Sequence, residues 1–114
     1  MDADVAKRVL GLLGLGARGR RVVVGVQLVR EAARRGELVL AVIAPDASRH
    51  SLAKVTPLLD ARGVRIIEGP DTARLGAAVG RDSTAAVGVV DDDLARGILA
   101  IVDGAPASPR GGRV

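Results

Sequence analysis

Apolar residues recur at three- and four-residue spacing over residues 5–13, with Lys7 and Arg8 on the opposite side. This spacing predicts an amphipathic first helix, N-capped by Asp4 and ended by the glycine-rich run 14–19. The short β-branched stretch 21–24 then predicts a strand, and Gly25 opens a helix that runs to Arg35 and stops at Gly36. Residues 37–44 are nearly all apolar, the pattern of a central strand covered on both faces. Beyond Pro45, either Asp46 or Ser48 caps a helix that bends at Pro57, reaches Arg62 and stops at Gly63. A strand over 64–68, a short Asp71-capped helix to Val79 and a buried strand over 84–90 follow. Asp91, Asp92 and Asp93 begin a last helix carrying Leu94, Ile98, Leu99 and Val102.

Strands alternating with helices through short connections predict an α/β fold, a three-layer α/β/α sandwich around a small mixed sheet of about four strands. With 114 residues the chain suffices for one core. The expected organisation is one domain over 1–102 and a disordered, weakly basic tail over 103–114, where apolar content is too low to pack.

Composition removes several function classes. Without Cys there is no disulfide framework, thiolate metal site or cysteine nucleophile. Without Phe, Tyr or Trp no base can stack on an aromatic platform, which argues against the common single-strand RNA modules. No apolar run approaches the length of a membrane span, and the acidic start Met1-Asp2-Ala3-Asp4 is unlike a signal peptide, so a cytoplasmic protein is expected. The net charge of +4 is uneven: residues 1–36 carry +5 and residues 37–114 carry −1. Such a basic first third suits a polyanion partner, although a merely solvated face remains the plain alternative.

Three chemical motifs are weak. Gly14-Leu15-Gly16-Ala17-Arg18-Gly19 matches a dinucleotide fingerprint, yet a helix pattern precedes it and a strand follows, the reverse of the required context. The glycines read better as a turn. The three aspartates at 91–93 suit a helix start more than Mg²⁺, and His50 has no nucleophile or orienter around it. No cofactor, metal or enzymatic activity is expected.

Two stretches carry a family likeness. Leu75-Gly76-Ala77-Ala78-Val79-Gly80 places glycines around one turn of helix, with Gly76 suited to a close helix contact and Gly80 to positive φ. Upstream, Val55-Thr56-Pro57-Leu58-Leu59-Asp60-Ala61-Arg62-Gly63-Val64 sets a proline before an apolar pair and a glycine stop. At this mutual spacing both resemble the kink-turn-binding ribosomal protein superfamily, with its large-subunit ribosomal and box C/D core members, and in particular its short bacterial YlxQ-like branch.

The resemblance spans about residues 7–102 and implies the sandwich fold and a structured RNA ligand, ribosomal or a messenger or small RNA, with possible ribosomal or ribonucleoprotein partners and no membrane. It also implies an RNA-facing helix start of the form Gly-x-Asn-Glu-x-x-Lys. Here Gly25 matches the glycine and Gln27 stands at the Asn position, while Leu28 replaces Glu and Glu31 replaces Lys. Arg18, Arg20, Arg21 and Arg30 are positioned to contact phosphates, which supplies affinity without sequence information. The second contact implied is the loop at 80–85, with Arg81, Ser83 and Thr84, where the family's apolar wedge is replaced by small polar residues. A protein-interaction module that keeps the fold without base readout is the alternative.

Overall fold

The computed structural model describes residues 1–104; of the tail read at 103–114, residues 105–114 lie outside them. Its elements are α1 (Ala3–Arg18), β1 (Val22–Val24), α2 (Val26–Arg34), β2 (Leu40–Ile43), α3 (Arg49–Ala61), β3 (Arg65–Glu68), α4 (Thr72–Ala78), β4 (Ala86–Val89) and α5 (Asp92–Val102). The four strands form one mixed sheet in the order β1-β4-β2-β3. β4 runs antiparallel to both neighbours, and β2 pairs with β3 in parallel.

Side-chain alternation along the central strands makes the three layers. Leu40, Val42, Val87 and Val89 point to one face, where Val9 and Leu13 of α1, Leu75 of α4 and Leu94 and Ile98 of α5 cover them. Ala41, Ile43 and Ala86 point to the other, under Val29, Ala32 and Ala33 of α2 and Val55 and Leu59 of α3. Every residue of β2 and β4 is buried, as their unbroken apolar runs require. Leu13, Leu40, Leu59 and Leu75 are wholly enclosed, each stabilising the fold by about 1.5–3 kcal/mol, so aliphatic packing builds this core without a ring.

Several boundaries differ from the expectation. α1 does not end at Gly14 but continues through Gly16 to Arg18, so the G-x-G-x-x-G run is helical and forms no phosphate-cradling turn. Packing explains this: a Cβ at Gly16 would stand 2.5 Å from Leu94 Cδ2 and 3.1 Å from Val22 Cγ1, so glycine lets α1 lie close to α5 and β1. The cap of α1 is Asp2, whose carboxylate accepts from the Val5 N–H at 2.8 Å, where Asp4 was expected. Ser48 caps α3, which frees Asp46 for another partner. α5 closes at Asp103, which binds Arg65 of β3 through two hydrogen bonds of 2.6 and 3.1 Å.

Candidate nucleic-acid interface

Four of the five helices begin with a side-chain cap: Asp2, Ser48, Asp71 and Asp91 each accept from a backbone N–H in the first turn. α2 does not. Its N-cap is Gly25, at φ 99° and ψ 154°, a conformation that glycine adopts without strain, and no side chain bonds its first turn. No acid stands in that turn either. The helix therefore presents uncapped amides and the positive end of its dipole, the arrangement that favours an anion.

A hydrogen bond joins this helix start to the first residue of β4, where the α4–β4 loop ends. The Gly25 N–H donates to the Ala86 carbonyl at 2.9 Å, because antiparallel pairing puts the end of β1 beside the beginning of β4. The loop itself folds back along α4. The Arg81 N–H donates to the Gly76 carbonyl at 2.8 Å, and the Thr84 N–H donates to the Thr72 carbonyl at 3.1 Å. Gly80, at φ 81°, makes the reversal. A Cβ on Gly76 would lie 2.5 Å from Ser83 Cα, so this glycine admits the loop backbone. The close contact expected there is with the loop, not with a helix.

The expected site residues divide three ways. Gln27 and Arg30 lie on α2 beside Gly25, and Arg81 and Ser83 are exposed on the loop. Arg18, at the end of α1, shares a groove of about 370 Å³ with Gly80. Arg20 and Arg21 precede β1 whereas Gly25 follows it, so three strand residues, about 10 Å, separate them from the helix start. Arg20 is exposed at φ 58°, and Arg21 lies 4.0 Å from the Asp91 carboxylate. Thr84 differs from the others: it is buried, with its hydroxyl donating to the Ala86 carbonyl at 3.1 Å, so it holds the shape of the loop.

Details of α2 that sequence reasoning missed bear on its chemistry. The Gln27 amide donates to a Glu31 carboxylate oxygen at 3.0 Å, which leaves the Gln27 carbonyl oxygen as the free acceptor beside the uncapped amides. Their spacing of four residues on one helix is the signal that was available. The Arg30 Nε is enclosed and has no hydrogen-bond partner among the described residues. Leu28 is 42% exposed, an apolar side chain on the same rim.

The other candidates resolve into structure. Asp91 caps α5 at 2.8 Å from the Leu94 N–H, Asp93 pairs with Arg96, and His50 is exposed in the first turn of α3. No described helix is long and apolar enough to cross a membrane.

A mixed four-stranded sheet between two helical layers, with an uncapped helix start hydrogen-bonded to the first residue of β4, defines a small α/β/α fold. Residues 7–98 match the model of the ribosomal protein L7Ae/L30e/S12e/Gadd45 family, and the chain belongs to that family. The RNA-binding protein YlxQ of Bacillus subtilis is 32% identical over 92 residues, covering 81% of this chain and 92% of that protein. A solved Bacillus halodurans protein of unknown function is 28% identical, with a TM-score of 0.78 over 84% of this chain and 97% of that one. The 15.5 kD RNA-binding protein of Giardia lamblia shares the fold at 20% identity, with a TM-score of 0.77 over 91% of this chain and 89% of that chain.

Proposed function

We propose that this chain is a non-enzymatic RNA-binding protein that docks a bent, structured RNA, kink-turn-like or ribosomal, between the α2 start and the loop at 80–85. The observation that carries the reading is the Gly25–Ala86 hydrogen bond, which fixes an uncapped helix N-terminus beside the start of β4, where the exposed loop ends. The relative in Bacillus subtilis named as an RNA-binding protein supports it. Phosphates meet the α2 amides and the guanidinium groups of Arg18, Arg30 and Arg81, while the free oxygen of Gln27 accepts from a base edge or a 2′-hydroxyl. Ser83 adds a hydroxyl for sugar or phosphate. Arg21 contributes least, being partly neutralised by Asp91.

Titration of a kink-turn RNA and a plain duplex at several salt concentrations tests this. With three or four phosphate contacts, the slope of log K against log salt is roughly −2 to −4. A second reading, a protein-interaction module that has kept the fold, draws on the exposed Leu28 and the anionic Glu31 on the same rim. Absence of binding to either RNA at low salt selects it.

A further inference from the structure

Asp46 stands in the turn between β2 and α3, distant in sequence from the rim. Its two carboxylate oxygens each take a hydrogen bond from Thr72, one from the backbone N–H at 2.8 Å and one from the hydroxyl at 2.9 Å. Thr72 is the first residue of α4, and its carbonyl is the acceptor for the Thr84 N–H. At the other end of the same short helix, the Gly76 carbonyl holds the Arg81 N–H. Helix α4 and residues 81–84 are therefore one hydrogen-bonded unit, and wherever α4 sits, Ser83 and Arg81 go with it.

The carboxylate also satisfies a first-turn N–H that the helix's own cap does not reach, since Asp71 accepts from Arg74. Thr72 holds the Asp46 carboxyl below the ordinary aspartate value of 3.8, chiefly through its backbone N–H and then its hydroxyl, so the link is made to the charged form.

Resting on the RNA-binding reading, we propose that Asp46 is a positioning residue for the rim: through Thr72 it fixes the α4–loop unit and so sets the shape, not the charge, that the loop presents to RNA. Its role is confined to recognition of a bent RNA. The phosphate-facing cations lie on α1, α2 and the loop surface, and none of them bonds Asp46.

Two measurements on the full chain test this. Without RNA, Asp46→Ala should raise amide exchange at Thr84 and Arg81 by about threefold to tenfold, the loss of an exposed charge-assisted pair of bonds. With RNA, the same variant should weaken kink-turn binding by a similar factor, leaving duplex affinity and the salt slope at wild-type values. Thr72→Ser keeps both donors and should behave as wild type, whereas Thr72→Val loses the hydroxyl, should fall between wild type and Asp46→Ala, and stands in for Asp46→Ala if the latter does not fold. Unchanged exchange at Thr84, or an equal loss for kink-turn and duplex, overturns the proposal. If the wild-type chain binds neither RNA, the RNA-binding reading falls. Unaltered Thr84 exchange in Asp46→Ala then also removes Asp46 as the anchor of the loop, and faster exchange keeps it as one.

Discussion

The two ends of the β1–β4 ribbon start helices in opposite ways. Beyond β4, Asp91 caps α5 with its own carboxylate and draws Arg21 to 4.0 Å, so helix end, acid and cation satisfy one another inside the chain. Beyond β1, Gly25 begins α2 with no side-chain cap and no acid in its first turn. A single change of residue type at the N-cap, Asp against Gly, separates a closed end from an open one. Charge along the chain does not reveal this: the adjacent pair Arg20 and Arg21 sits at the closed end, while the open end is made of backbone amides.

The largest way to break the contrast is through Gly76. Gly76→Ala forces a Cβ to 2.5 Å from Ser83 Cα, backbone that cannot rotate away, and should cost about 2 kcal/mol or more in denaturant unfolding. In Gly11→Ala, by contrast, the Cβ enters open space in a helix interior, and the change should stabilise by about 0.5–1 kcal/mol. Smaller effects come from exchanging the characters of the two ends. Asp91→Ala removes the α5 cap and should cost about 1 kcal/mol without lowering RNA affinity, since it also frees Arg21. Gln27→Glu places a carboxylate at the open end but loses the bond to Glu31 and sets two carboxylates four residues apart, so stability should change by less than about 0.5 kcal/mol while RNA affinity falls severalfold in the same titration.

The architecture was legible because its signals are local. The unbroken apolar runs of β2 and β4, the glycine stops at Gly36, Gly63 and Gly80, all at positive φ, and the cap at Asp71 each follow from neighbouring residues. What escaped depends on partners far along the chain. Asp46 and Ser48 are equally good caps by residue type, and only Thr72, 26 positions away, decides which one caps α3. Gly14 and Gly16 read as a helix stop until Ala78, Leu94 and Val22 close over α1. Thr84 is polar in a polar loop, and its burial comes from a bond to Ala86 that polarity alone does not encode. Of the site, the positions at Gly25, Gln27 and the loop were visible through family likeness, whereas the separation of Arg20 and Arg21 from them required the strand between.

The central claim is that RNA meets the open end of the ribbon, and amide chemical-shift mapping by NMR during titration with a kink-turn RNA tests it most directly. The account predicts the largest shifts at Val26, Gln27 and Leu28 and at residues 80–83, with Leu94 and its neighbours at the start of α5 unmoved. Shifts concentrated around Arg21 and Asp91, with the α2 amides silent, would contradict it.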